Sequence, residues 1–360
     1  MYENDSRTVM TLDAGGTNFV FSAIQGNREV VEPVRLDAVT DNALRCLEVL
    51  SEGFRQVRAA LAEEPVAISF AFPGPADYEN GVIGDLPNFP CFRGGVAMGA
   101  YLQEQFGLPV FINNDGNLFA YGEALAGLLP QMNARLEEAG SSKRYPNLIG
   151  LTLGTGFGAG VVLDGVLLRG DNGCGGDVWL MRNVLHPEQF AEENVSIRAV
   201  KREYRALSGD EAVLNPKDIF DIAEGTREGN QEAAREAFRR LGIAAADALA
   251  HTLDIADGLV VVGGGVSGAA KYILPALVEA VNPWLQMEVL DLTTAQGMKR
   301  FLEDESTLVE VPGSGKKVRY RLKKKTGIAV SALGTSKAVS LGAYAYALRQ
   351  LDIRKNTIIL

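Results

Sequence analysis

Cysteine and histidine are nearly missing from this chain: Cys46, Cys91 and Cys174 are the three cysteines, and His186 and His251 the two histidines, among 360 residues. The cysteines are odd in number and far apart. No Cys or His pair has C-x-x-C or zinc-finger spacing, which excludes a disulfide framework and leaves no structural zinc site. No run approaches about 18 consecutive apolar residues, so no membrane-spanning helix is expected. Positive charge is also in deficit, with 35 Lys and Arg against 45 Asp and Glu, a formal net charge of −10. That field repels polyanions and argues against a nucleic-acid or anionic-membrane partner. It still permits one nucleotide, because backbone amides and a metal ion handle phosphate locally. The opening residues, MYENDSRTV, are acidic and polar where a secretion signal needs an apolar run, so a cytoplasmic protein is expected.

What remains is ordinary soluble globular material, 47% apolar and 22% charged. The length suggests about two domains. Glycine is the excess: 40 residues, against roughly 7% of an average chain. The glycines cluster, and the clusters carry most of the functional information.

The patterning predicts a strand over 7–13, a glycine turn, and a hairpin of 19–24 with 30–36 around Gln25-Gly26-Asn27. Helical periodicity covers 41–62; a strand at 66–72 stops at Pro73-Gly74-Pro75. A helix over 94–106, a strand over 109–113 and a helix over 116–129 follow, then a polar surface excursion over 130–147. A second cycle repeats the first: a strand over 148–153, a glycine turn, and a hairpin of 159–163 with 166–169. The two turns begin about 140 residues apart, at Gly15 and Gly154. This is the pattern of a duplicated α/β fold with a cleft between lobes. A long helical region over 188–255, a buried strand over 258–262, a hairpin over 307–322 and a final helix over 335–351 complete the chain. Seven of the ten residues 316–325 are basic. Val318, Tyr320 and Leu322 alternate with them, so the segment reads as a strand with a solvated face, compensated by Glu303, Asp304, Glu305 and Glu310.

Four constellations carry chemistry. Asp13-Ala14-Gly15-Gly16-Thr17-Asn18 offers a carboxylate ahead of a turn whose amides can close on phosphate oxygens. A plain hairpin turn is the bland alternative. Gly154-Thr155-Gly156-Phe157-Gly158-Ala159-Gly160 would weaken a packed strand by about 0.5–1 kcal/mol per glycine, so some close approach must justify it; phosphate or a β-bulge would. Gly263-Gly264-Gly265 follows a strand and precedes a helix, where a purine or ribose could lie against backbone. It lacks the G-x-G-x-x-G pattern and the distal acid of a dinucleotide site. Asn113-Asn114-Asp115-Gly116-Asn117 stands where a strand ends and a helix begins, so Asp115 is either a proton acceptor or a helix N-cap.

Taken in this order, the four resemble the ROK family (repressors, open reading frames and sugar kinases) of the actin/hexokinase-like ATPase superfamily, and its glucokinase-like members in particular. The matching pieces are DAGGTN, FPGPAD at 72–77, PNFP at 87–90, LPVFINND at 108–115, GEALAG at 122–127, LTLGTGFGAG at 151–160, VVGGGVS at 261–267, Leu333-Gly334 and Leu341-Gly342-Ala343. The resemblance implies a two-lobed α/β fold with duplicated ribonuclease-H-like halves and an inter-lobe cleft. It implies a small lobe over 1–122, to which a C-terminal helix over 345–360 returns, and a large lobe over 123–344. It further implies ATP-dependent phosphorylation of a sugar hydroxyl by a magnesium-dependent homodimer. Asp13 would hold Mg²⁺ through water; Gly15, Gly16, Thr17, Asn18, Gly154, Thr155, Gly156 and Gly158 would serve the phosphates, and Gly263, Gly264 and Gly265 the nucleoside. Asp115 would be the general base. Gly74, Asn88, Asn114, Asp115, Asp177 and Glu192 would bind the sugar.

The departures matter as much. The family's Gly-Glu-x-Gly-His segment is here Gly176-Asp177-Val178-Trp179-Leu180, and the cysteine-rich zinc motif after it is missing. Leucine cannot replace an imidazole hydrogen bond, so glucose is expected to be a poor acceptor unless Glu192 or His186 restores the contact. Two rivals stay open: a catalytically weak sugar-binding regulator, and a phosphotransferase with a non-sugar acceptor. Only twelve residues precede Asp13, too few for the DNA-binding domain of the family's repressors.

Overall fold

The computed structural model describes residues 2–14, 18–74, 76–84 and 90–357. In the first sheet β1 (Val9–Ala14) pairs antiparallel with β2 (Asn18–Gln25), which pairs in turn with β3 (Arg28–Glu29) and β4 (Val34–Asp37). Gly26 and Asn27 both adopt left-handed backbone, the requirement of a tight hairpin turn. The return strand expected over 30–36 is split, with residues 30–33 outside any strand and Pro33 unable to donate to the ladder. α1 (Ala43–Ala60) leads to β5 (Ala67–Ala71), a small hairpin of β6 (Ala76–Asp77) and β7 (Val82–Ile83), α2 (Met98–Phe106) and β8 (Val110–Asn113). α2 starts later than expected because Gly94 and Gly95 have φ of +84° and +91°, outside the helical region. The sheet order is β3-β2-β1-β5-β8, with β1, β5 and β8 parallel.

α3 (Asp115–Ala126) and α4 (Leu128–Glu138) follow. The polar excursion expected over 130–147 is therefore partly helix. Pro130 falls in the first turn of α4, where a missing N–H is harmless, and Met132 and Leu136 are buried.

The second sheet repeats the order. β9 (Leu148–Leu153) pairs antiparallel with β10 (Phe157–Leu163), which pairs with β11 (Val166–Leu167). α5 (Ile197–Ser208), α6 (Pro216–Glu224) and α7 (Gln231–Ala256) replace the single helical region expected over 188–255. Left-handed caps at Gly209 and Gly225 and an Asn215–Asp218 capping box make the breaks. Then come β12 (Leu259–Gly263), α8 (Ala270–Val281), β13 (Glu288–Asp291), α9 (Ala295–Leu302), β14 (Thr307–Glu310), β15 (Lys317–Tyr320), β16 (Lys325–Val330) and α10 (Thr335–Thr357). The order is β11-β10-β9-β12-β16-β13, with the last four parallel.

The β14–β15 hairpin forms as expected, but its apolar side chains meet solvent as well as its basic ones; Leu308 is 64% exposed. Asp304 gathers Arg319 at 2.8 Å and Arg321 at 3.4 Å.

α3 packs on β9 and β10 of the second sheet, while α10 packs on β1, β5 and β8 of the first. The two helices cross each other with backbones nearly touching. A Cβ on Gly122 would sit 1.9 Å from the Ala338 carbonyl oxygen, and one on Gly342 the same distance from that of Leu118. This crossing brings the strand ends of both sheets toward one region.

Candidate active site

Asp13 lies at the end of β1, partly exposed, and Asn18 opens β2 in register with Asp37. Gly15, Gly16 and Thr17 between them lie outside the described residues, as does Asn88. β8 delivers the other end of the site. Asn113 closes that strand, and Asn114 N-caps α3, its Oδ1 accepting from the amides of Gly116 at 2.7 Å and Asn117 at 3.3 Å. The cap is thus Asn114. Asp115 is left as the first helical residue, open to solvent, with Oδ1 accepting from the Gly116 amide at 2.9 Å.

Protein crowded around Asp115 raises its carboxyl above the ordinary range; the Gly116 amide opposes this, and the negative charge of Asp13 adds to it. Higher proton affinity is what a base needs for accepting a hydroxyl proton. Asp13 and Asp115 are close enough to repel, so a cation between or beside them is favoured. Among the described residues, no group of three or more His, Cys, Asp or Glu could hold a metal ion. The pair suits Mg²⁺, which keeps several waters and takes one or two carboxylates plus phosphate oxygens.

Tyr78 organises this end of the site, and the sequence patterning did not single it out. Its hydroxyl donates to the Phe72 carbonyl at 2.9 Å, and the Phe72 amide donates to the Asn113 carbonyl at 3.0 Å. A Cβ on Gly74 would lie 3.0 Å from that hydroxyl. The Asn114 side chain approaches it too, and burial followed by the charges of Asp115 and Asp177 pushes the phenol far above its usual range. Since Asn114 spends its Oδ1 on the helix cap, its NH₂ is the group that faces Tyr78. Tyr78 thereby joins Gly74, Asn114, Asp115 and Asp177. No local spacing could mark it, because its partners come from β5, α3 and the segment after β11.

The large-lobe candidates divide. Asp177 is exposed, with its carboxyl raised by partial burial, and its charge reaches Tyr78. Trp179 stacks edge-on against Phe190 with centroids 6.1 Å apart, and both Trp179 and Leu180 are exposed. Glu192 is committed elsewhere: Oε2 accepts from the Phe157 amide at 3.0 Å, and Oε1 pairs with Arg198 at 2.9 Å. It braces the second glycine turn. His186 is exposed beside Glu188.

The glycines of the two large-lobe turns also serve different ends. Gly160 and Gly116 let α3 lie on β10, each with backbone of the other strand or helix under 3 Å from where a Cβ would be. Gly158 makes room for the Thr152 hydroxyl, and Gly156 for the Glu192 carboxylate. Gly263 lies against the Phe119 ring; Gly264, at φ +90°, crosses the Leu153 backbone and donates its N–H to Thr335 Oγ1 at 2.8 Å. Gly154 and Gly265 instead face open space, and the exposed Thr155 lies beside Gly154. These are the positions a nucleotide can approach closely.

Two sheets that match over five strands, β3-β2-β1-β5-β8 and β11-β10-β9-β12-β16, joined by crossing helices, define the actin/hexokinase-like ATPase fold. The model of the ROK family matches residues 9–308. The chain belongs to the ROK family. A crystal structure of glucokinase from Parabacteroides distasonis is similar over 97% of this chain and 99% of its own, with 58% identity and a TM-score of 0.90. Thermotoga maritima glucokinase is 28% identical over 297 residues, 76% of this chain and 87% of that one. N-acetyl-D-glucosamine kinase of Vibrio cholerae is 27% identical over 268 residues, 71% of this chain and 83% of that one.

Proposed function

We infer that this chain is an ATP-dependent sugar kinase with Asp115 as its general base. The observation that carries the role of Asp115 is its position: a solvent-reached carboxylate of raised proton affinity, relieved of capping duty by Asn114. An acceptor hydroxyl gives its proton to Asp115 as its oxygen attacks the γ-phosphorus, and ADP leaves. Asn114 and Asp177 hold neighbouring sugar hydroxyls, with Gly74 beside them, and the family resemblance assigns Asn88 to the sugar as well. The turn at Gly15–Thr17, with Asn18, and the backbone at Gly154–Thr155 take the phosphates; Gly265 abuts the nucleoside. Mg²⁺, held by Asp13 through water, would supply neutralising charge at the transferred phosphoryl group. Glu192 braces the glycine turn through Oε2 and pairs with Arg198 through Oε1, and each oxygen keeps a lone pair that can accept from a sugar hydroxyl.

We place the lobes on either side of the α3–α10 crossing, since a boundary at 122–123 would fall inside α3. We also propose a cytoplasmic homodimer acting on small molecules, without nucleic-acid or membrane partners; the net charge of −10 supports the first exclusion. No helix among the described residues is long and apolar enough to cross a membrane.

The test is ADP release across glucose, amino sugars and N-acetylated sugars. Sugar-dependent turnover upholds the kinase, and saturable binding without turnover would make it a sugar sensor. The name of the Parabacteroides protein points to glucose. The segment Asp177-Val178-Trp179-Leu180 points away from it, since Leu180 stands where the family's histidine would be and cannot hydrogen-bond a hydroxyl. Comparison of kcat/KM between glucose and the other sugars separates these two.

A further inference from the structure

Of the backbone polar groups from the Gly154 amide to the Phe157 amide, all but two have a partner among the described residues. The Gly154 amide donates to the Gly156 carbonyl at 3.0 Å, and the Gly154 carbonyl accepts from the Ile197 amide at 2.8 Å. The Thr155 carbonyl accepts from Arg198 Nη1 at 3.4 Å, and the Phe157 amide donates to Glu192 Oε2 at 3.0 Å. The amides of Thr155 and Gly156 donate to no group among the described residues. Across a trans peptide the C=O and the following N–H point in opposite directions. The carbonyls of Gly154 and Thr155 are drawn toward the first turn of α5, so those two amides are aimed away from it. Successive unpartnered amides in a turn make a concavity suited to an anion's oxygens.

Arg198 stands behind this arrangement. Besides reaching the Thr155 carbonyl, its Nη2 pairs with Glu192 Oε1 at 2.9 Å and with Glu193 Oε1 at 2.7 Å, and its Nε donates to Glu193 Oε2 at 3.3 Å. One guanidinium thus holds the Thr155 carbonyl directly and the Phe157 end of the turn through Glu192, while Glu193 fixes its plane. Gly156 lies inside this clamp, where a Cβ would run into Glu192 Oε2. A cation on a peptide carbonyl also polarises the N–H of the same peptide, here the Gly156 amide. We propose that Arg198 is a positioning residue for nucleotide phosphate, holding the turn so that the Thr155 and Gly156 amides receive a phosphate group of ATP. The proposal rests on the kinase reading, which brings ATP to this turn; the role of Arg198 is carried by the hydrogen-bond accounting and by the three residues that its guanidinium bridges.

Calorimetric titration of the full-length protein with ATP and with adenosine, each with Mg²⁺ and without sugar, tests it. Arg198 is exposed, and thermal melts check that its variants fold. Arg198→Met weakens ATP binding about tenfold, while adenosine, which has no phosphate, keeps its affinity within about twofold. Arg198→Lys keeps the charge but not the planar fork that spans three partners, and it loses nearly as much. If ATP affinity survives Arg198→Met, the turn holds itself and the proposal fails. If Arg198→Lys restores it in full, charge alone is at work and the positioning role fails. Equal losses for ATP and adenosine would make Arg198 a general stabiliser, which also overturns it. A wild type that binds ATP no more tightly than adenosine would overturn the kinase reading of this turn itself, a result distinct from the other three.

Discussion

The two halves share the order of five strands and little else: β13 is added at the edge of the second sheet and β4 beside β2 in the first. The first buries a knot of aromatic rings, with Phe54 edge-on to Phe21 at 5.1 Å and in contact with Phe70 and Phe106. The second buries small residues, with Ala234, Ala237, Ala245 and Ala248 of α7 in one core cluster with Val260 and Val262 of β12. Between β3 and β5 the first half carries β4 and one helix, α1, where the second carries the three helices α5–α7 between β11 and β12. The candidate residues differ as well: β8 of the first half ends at Asn113 and leads into Asn114 and Asp115, while the second half presents open backbone at Gly154 and Gly265 together with the exposed Asp177. Duplicated topology therefore preserves where strand ends meet, while packing and chemistry diverge around it.

The largest expected effect breaks the chemical half of that comparison. Asp115→Asn should lower turnover about 10²–10⁴-fold with ATP binding nearly unchanged, as initial rates and nucleotide titration would show. Because folding raises this carboxyl above its ordinary 3.8, the native state holds the proton more tightly than the unfolded one. Stability then declines as pH rises from 3.8 through the raised value. The variant escapes that decline, so its Tm at neutral pH should exceed the wild type's. The wild type should also lose kcat/KM as pH falls through the raised pKa. An unchanged turnover, or a lower Tm, would show Asp115 to be structural.

Next comes the joint between the halves. Gly342→Ala puts a methyl 1.9 Å from the Leu118 carbonyl oxygen, and overpacking of this kind costs about 1–3 kcal/mol or more. Denaturant unfolding should record the loss, and a neutral result would mean the crossing is loose enough to slide. Tyr78→Phe removes one hydroxyl from the first half. Loss of its bond to Phe72 and its contact with Asn114 should raise KM for the sugar about three- to tenfold, with KM for ATP unmoved. Equal changes in both constants would make Tyr78 a general stabiliser.

The smallest effect belongs to the surface of the second half. The Ser306 side chain and amide and the nearby Arg321 hold the Asp304 carboxyl down to about 2. These contacts with Ser306 and Arg321 therefore stabilise above pH 3.8 and are lost as pH falls toward 2. Asp304→Asn should change stability by less than about 1 kcal/mol, measurable by denaturant titration at neutral pH and absent near pH 2. A larger loss would mean that the exposed β14–β15 hairpin is tied to the core.

Residue order alone located the second glycine turn, the strands at 148–153 and 258–262, and Asp115 between a strand and a helix. These are local properties: alternation, periodicity and a missing Cβ restrict the backbone whatever surrounds it. Helix breaks at Gly209 and Gly225, and the helix that contains Pro130, were hidden because each depends on cap geometry and burial that periodicity does not encode. The same limit governs the site. Only the tertiary structure separates Gly158, Gly160 and Gly264, which accommodate neighbouring chain, from Gly154 and Gly265, which face open space. Only it commits Glu192 to Arg198 and the Phe157 amide, assigns the helix cap to Asn114, and sets Tyr78 between Gly74 and Asp115. Each of those outcomes depends on which distant segment occupies the neighbouring space, and that is fixed by packing rather than by spacing along the chain.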